Sequence, residues 1–301
     1  MKRIITSIAS YLLLLSAVGA AERTVKPTRE IVRAKDGLKI VCESRGQGDT
    51  ALIFLHGWCG DRQYWRNQAD LFAADYRVVT LDQAGHSESG KDRKVWTASG
   101  LAEDVEAVAK ALDLKRLILV GHSMGGPIAL MAAKRMPDRV IGVVGVDTLQ
   151  NAEFKRPEEV TKTFLDAFSA DFDKTLREMF PGMLPEKTDP ELTHWLLEKA
   201  AAQDHTMALA LIRDVIALDM TELFKNAHKP IRCINSGGPF PFHTPTAIEI
   251  NRKYADYDAM IIEKVGHYPM LEKPAEFNDK LRATLKELAP KNRPPQKDRK
   301  G

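Results

Sequence analysis

Cysteine is scarce: the 301 residues contain Cys42, Cys59 and Cys233. None of the three forms a C-x-x-C pair, so neither a zinc site nor a dithiol redox centre is indicated. An odd count allows at most one internal disulfide. Cys42 with Cys233 or with Cys59 is conceivable in an oxidising compartment, and three buried free thiols are the simpler expectation. A charge excess is also missing. The 44 basic and 41 acidic side chains leave a net charge of +3, which argues against nucleic-acid binding, where basic residues must cluster on one face. Histidines and carboxylates lack ligand spacings such as H-E-x-x-H, and no glycine-rich phosphate loop is present. No metal and no cofactor are therefore expected. Internal repeats are absent as well.

Hydrophobic residues make up 44% of the chain, enough for a sizeable core. At the N-terminus, Lys2 and Arg3 precede an apolar stretch over 4–18, broken only by Thr6, Ser7, Ser10 and Ser16. Val18-Gly19-Ala20, or one residue later Gly19-Ala20-Ala21, fits a small-residue cleavage site. This is the layout of a secretory signal peptide, assigned to 1–21. The stretch is short for a membrane span, which needs about 20 apolar residues. Export to a periplasm or to the medium is expected, with no stable span after cleavage. At the other end, the basic run 291–300 holds Pro294 and Pro295 and reads as part of a disordered tail over 290–301.

Between these ends the pattern alternates. Extended runs at 30–34 and 38–44 flank Lys35-Asp36-Gly37, a hairpin signal. Apolar strands are expected at 51–55, 77–82, 117–120 and 140–146. Helices are expected at 64–74, at 99–112 and from 124 to about 136. Buried β-branched strands alternating with helices imply a mostly parallel, doubly wound α/β sheet covered on both faces. The rhythm breaks between 149 and 229, where helical stretches at 157–169, 173–180, 190–203 and 206–218 are punctuated by Pro181, Pro185 and Pro190. The resulting division has core at 22–149 and 230–289, with a helical cap at 150–229 inserted over the carboxyl edge of the sheet. Within the second core part, a strand is expected at 231–235, a helix at 246–255, a strand at 259–264 and a helix at 274–288.

Gly121-His122-Ser123-Met124-Gly125 matches G-x-S-x-G, with a strand before it and a helix after it. That context projects the Ser123 hydroxyl from a strained turn above the sheet. The positive end of the following helix favours an oxyanion at the same place. Serine is a weak nucleophile and needs a base. Of the eight histidines, His267 lies beyond the last expected strand, on a loop. His56, His86 and His122 belong to turns with structural explanations. His194, His205 and His228 fall in or beside the helical insert, and His243 lies in the loop after 231–235.

Together with Leu55-His56-Gly57-Trp58, Asp82-Gln83-Ala84-Gly85-His86-Ser87 and Val265-Gly266-His267 followed by Glu272-Lys273-Pro274, the serine motif makes the chain resemble the α/β-hydrolase family over roughly 28–288. The resemblance implies oxyanion donors at the backbone N–H groups of Trp58 and Met124, and a base at His267. It implies a structural role for Asp82 and the Gly85-His86-Ser87 turn. In most relatives the triad acid follows the strand that is here 231–235. The sequence there, Ser236-Gly237-Gly238-Pro239-Phe240-Pro241-Phe242-His243-Thr244-Pro245-Thr246, holds no carboxylate. Some relatives take the acid from the end of the preceding strand, which here gives Asp147. A loop carboxylate that only caps backbone N–H groups is the competing reading of Asp147.

The expected function is hydrolysis of a carboxylic ester or related acyl compound, with a small or medium, partly apolar substrate bordered by Trp58, Met124 and Leu149. A serine at this turn argues against the dehalogenase and epoxide-hydrolase chemistry of relatives with a carboxylate there. Amide, lactone, thioester and carbon–carbon bond cleavage stay open. So do a non-catalytic ligand-binding protein, which the carboxylate-free loop keeps in play, and an acyltransferase or perhydrolase.

Overall fold

In a computed structural model, which describes residues 26–238 and 244–290, eight strands form one sheet in the order β1-β2-β4-β3-β5-β6-β7-β8. The signal segment, the residues 239–243 with His243, and the tail from 291 lie outside the described residues. Strand β1 (Thr28–Arg33) pairs antiparallel with β2 (Lys39–Arg45) through the expected hairpin, where Gly37 takes φ +85°. β2 pairs antiparallel with β4 (Arg77–Leu81), and from there every pairing is parallel, through β3 (Ala51–Leu55), β5 (Leu117–His122), β6 (Val140–Val146), β7 (Ile231–Ser236) and β8 (Tyr257–Ile262). The middle strands β3 and β5 are buried along their whole length, as central parallel strands must be.

Helices cover both faces. On one side, α2 (Ala98–Ala111) and α3 (Gly125–Arg135) bury Leu101, Val105, Val108, Ile128 and Ala132 in one core cluster. On the other, α1 (Arg66–Phe72) and the long C-terminal helix bury Phe72, Phe277, Leu281 and Leu285 in a second. A 3-10 turn at Arg62–Trp65 precedes α1, capped by the Asp61 side chain. The helix expected from 64 is therefore split.

Between β6 and β7 the chain is helical: α4 (Glu158–Ala170), α5 (Phe172–Met179), α6 (Pro190–Ala201), α7 (His205–Ile216) and α8 (Met220–Ala227). Asp171, Asp189, Asp204 and Asp219 each cap a helix start with the side chain. α8 is not anticipated by the sequence reading; Phe224 and Ala227 bury in the same cluster as α3. α4 to α7 are tied to the sheet side at several points. The Trp58 indole donates to the Ala208 carbonyl at 2.7 Å. Lys199 pairs with the buried Asp61, and the Asp214 carboxylate accepts from the Ala98 N–H at 2.8 Å.

After β7 the expected helix over 246–255 is only a single turn, α9 (Ile248–Asn251). Its last residue explains why. Asn251 is fully buried, and its side chain serves the Ala152 N–H and the Leu149 and Gln150 carbonyls, which fixes the turn to the loop after β6. Beyond β8 come α10 (Pro269–Glu272) and α11 (Pro274–Leu288).

Candidate active site

Parallel strands bring their carboxyl ends to one edge, and ligands of such sheets bind there. At this edge β3 leads into Trp58, β5 into Ser123, β6 into Asp147, β7 into Ser236 and β8 into the loop that carries His267. Four of these five positions are the candidates read from the sequence, and Ser236 is not among them.

Ser123 sits between β5 and α3 with φ +50°, a left-handed conformation costly for a residue with a β-carbon. Its backbone N–H donates to Val146 O at 3.1 Å, and its carbonyl accepts from the Gly126 N–H at 2.9 Å. A β-carbon at Gly121 would run into the Gly125 backbone, so the strand and helix close on each other only with glycine there.

Asp147 also has positive φ, +43°, and its carboxylate is almost wholly buried. Oδ2 accepts from His267 Nδ1 at 2.6 Å. Oδ1 accepts from the Ser236 N–H at 3.0 Å and the Ser236 hydroxyl at 2.8 Å. Burial alone would raise the Asp147 pKa. The hydrogen bonds from His267 and Ser236 outweigh it and hold the carboxyl below its ordinary value. The group is thus an ionised acceptor at neutral pH.

The His267 loop is held on all sides. The His267 N–H donates to Met183 O at 2.8 Å, and its carbonyl accepts from His122 Nε2 at 2.7 Å. Glu272 accepts from the Gly266 and Tyr268 N–H groups, each at 2.8 Å, bracketing His267 from below. Burial of Glu272 raises its pKa, as the leading influence. His122 is buried and pushed down to about 3, first by burial and next by the neighbouring His267, so it is neutral and serves as a strut.

Ser123, His267, Asp147, Trp58 and Met124 all border one cavity of about 330 Å³, at the small end of the ~300–1,000 Å³ range of ligand pockets. Among the described residues, neither the Trp58 nor the Met124 backbone N–H has an acceptor within the protein. The remaining walls are mostly apolar and come largely from the helical insert: Phe164, Leu176, Met179, Phe180, Ile212 and Val215.

The other sequence candidates fall elsewhere. His56 donates from Nδ1 to Gly57 O at 2.8 Å and accepts the Gln83 N–H on Nε2 at 3.0 Å. His86 bonds Ala84 O at 3.1 Å. Both are buried in turns. His194 and His228 are exposed, and His205 stacks on Phe172. Asp82 accepts from the Arg62 N–H at 2.9 Å and pairs with its guanidinium, a framework role. Cys42, Cys59 and Cys233 are buried free thiols. Sequence reasoning missed Ser236, because only pairing β7 beside β6 brings it to Asp147. It quoted Glu272 without a role, although the spacing from His267 was visible.

The family model for the alpha/beta hydrolase fold matches residues 50–204. The chain belongs to the α/β-hydrolase family. A pimeloyl-[acyl-carrier protein] methyl ester esterase of Nitrosospira multiformis is 25% identical over 254 residues, spanning 80% of this chain and 95% of that protein. The dihydrolipoyllysine-residue acetyltransferase component of an acetoin cleaving system of Pseudomonas putida is 25% identical over 279 residues, spanning 90% of this chain and 72% of that one. Among solved structures, an N-acyl homoserine lactone degrading enzyme superposes with TM-score 0.71 at 25% identity, covering 84% of this chain and 99% of that one. A bromoperoxidase of Bacillus anthracis superposes with TM-score 0.76 at 19% identity, over 86% of this chain and all of that one, and so shares the fold. The hydrolase family is thereby established, with esterases among the relatives.

Proposed function

We propose that this α/β-hydrolase cleaves a carboxylic ester or related acyl compound through an acyl-enzyme on Ser123. The observation that carries the reading is the Asp147–His267 hydrogen bond at 2.6 Å on the wall of the cavity that Ser123 borders. Asp147 holds the His267 proton on Nδ1, which leaves Nε2 as the basic nitrogen. His267 removes the Ser123 proton as the hydroxyl oxygen attacks the substrate carbonyl. The N–H groups of Trp58 and Met124 receive the oxyanion, a contribution for which one donor is typically worth ~10²–10³ in rate. As the intermediate collapses, His267 gives its proton to the leaving alcohol. A water deprotonated by His267 then attacks the acyl carbon, and the acid departs with Ser123 restored.

The helices α4 to α7 act as a cap over this centre, and their apolar side chains select a small or medium, partly apolar acyl compound. The N-terminal layout supports export to a periplasm or to the medium. Within the described residues no helix is long and apolar enough to cross a membrane. Hydrolysis of p-nitrophenyl butyrate tests the reading: wild type turns over, and Ser123→Ala reduces kcat by ~10⁴ or more. Wild-type turnover unchanged by Ser123→Ala would refute it.

A further inference from the structure

Among the described residues that line the cavity, Arg156 is the one arginine or lysine. Arg156, in the segment between β6 and α4, borders the same space as Ser123 and His267, half-buried, with its guanidinium carbon 5.8 Å from the Phe164 ring centre. Other half-buried arginines have acceptors: Arg77 donates to the Leu112 carbonyl and Arg139 to the Leu114 carbonyl, and three more meet carboxylates. Arg62 is met by Glu43, Asp82 and Glu88, Arg93 by Asp36 and Asp104, and Arg232 by Asp256 and Glu287. Among the described residues Arg156 has no carboxylate within 4 Å and no hydrogen-bond acceptor. Burial is the sole influence that lowers its pKa, and an arginine so placed stays charged at any working pH.

A charged fork facing an apolar cavity without a counter-ion is unfavourable by itself, because desolvation is not offset by a partner. A ligand that supplies the anion offsets it. The guanidinium presents paired donors that match a carboxylate, and such charge-assisted bonds are the stronger kind. Phe154, Phe164, Val215 and Met220 line the same cavity and suit a hydrocarbon chain.

We propose that the substrate is an ester carrying a carboxylate at the end remote from the scissile bond, a half-ester of a dicarboxylic acid, with Arg156 as the residue that receives that carboxylate. The proposal rests on the reading of Ser123 as nucleophile, and it adds the charge and the chain chemistry of the substrate. Arg156 then sets which ester reaches Ser123, while Asp147 and His267 set how fast it reacts.

The test compares p-nitrophenyl hydrogen adipate with p-nitrophenyl hexanoate in wild type, Arg156→Gln and Arg156→Glu. The readout is the ratio of kcat/KM for the anionic ester to that for the neutral one. Wild type is expected to favour the anionic ester by about tenfold or more, in line with a charge-assisted pair. Arg156→Gln should bring the ratio to one or below, and Arg156→Glu should lower it further. A wild-type ratio at or below one, or a ratio that Arg156→Gln leaves in place, overturns the proposal. A second measurement needs no chemistry. Trp58 borders the cavity, so tryptophan fluorescence titrations with hexanoate and with its neutral counterpart hexanamide report binding directly. Hexanoate should bind about tenfold more tightly than hexanamide in wild type and lose that advantage in Arg156→Gln. Equal binding of the two overturns the proposal even if neither ester is hydrolysed, whereas failure of the Ser123 reading shows only in the kinetics.

Discussion

The ends of β6 and β7 lie side by side, and they do different work. The β6 end carries the carboxylate, on a residue with φ +43°. The β7 end carries no acid, and instead turns a backbone N–H and a hydroxyl of Ser236 toward that carboxylate. Asn235 beside it accepts from the Thr148 N–H at 3.2 Å and so pins the loop just after Asp147. The strand end where most relatives keep the acid is here the holder of its neighbour's acid. The comparison teaches that a strand end without an acid can still supply the donors that hold a carboxylate at the neighbouring strand end.

The largest expected break in this contrast is Asp147→Asn. The substitution keeps the volume, removes the charge and favours the wrong His267 tautomer, so kcat should fall by ~10³–10⁴ in steady-state ester hydrolysis. The β7 end has no acid to compensate. A drop of less than tenfold would return the orienting role to another group.

Acid should reveal the next effect. His86 and His122 are buried and neutral, each pushed down to about 3. The unfolded chain takes up protons on these histidines near pH 6.5, while the folded chain does so only near pH 3. The unfolded state therefore binds more protons in that window, and stability falls as pH falls through it. Each histidine contributes a slope of about 1.4 kcal/mol per pH unit, so the two account for up to about 4 kcal/mol between pH 6.5 and 5. Asp147 acts lower down: its depressed pKa adds stability that is lost only as pH drops below the ordinary carboxylate range. Urea titrations of wild type and His86→Gln should show a shallower slope in the variant between pH 7 and 5.

Legibility followed the range of the interactions. Strands β3, β5 and β6 were readable because they are continuous β-branched or aliphatic runs, and the Ser123 turn because its glycines are local. Asp147 was readable only as one of two choices, through chain order. What escaped depends on partners far away in sequence. Asn251 looks like the middle of a helix until its side chain is seen to hold 149–152, and Ser236 looks like any loop serine. α8 had a local signal in the Asp219 cap and was overlooked for lack of a long apolar stripe.

Packing sharpens the contrast between the strand ends at smaller cost. A β-carbon on Gly126 would collide with the Thr148 side chain just beyond β6, where the loop is pinned. Gly126→Ala should therefore cost about 1–3 kcal/mol. A β-carbon on Gly237, just beyond β7, would meet the Glu263 carboxylate oxygen at 2.7 Å and the Ile261 side chain at 2.7 Å. Glu263 is an exposed, flexible group, so Gly237→Ala should cost less than Gly126→Ala in thermal melts. Equal costs would mean that the β7 end is as tightly built as the β6 end. The mildest change is Ser236→Ala, which deletes one of the two Ser236 donors to Oδ1. A fall in kcat of ~10-fold, with KM little altered, is expected for one hydrogen bond to a charged group.

The most direct test of the account is the rate of covalent labelling by a fluorophosphonate, read by intact and peptide mass spectrometry on wild type and Asp147→Asn. The account predicts a single adduct on Ser123 in wild type and labelling slowed by ~10³ in Asp147→Asn. An adduct on another residue, or Asp147→Asn labelled as fast as wild type, would contradict it.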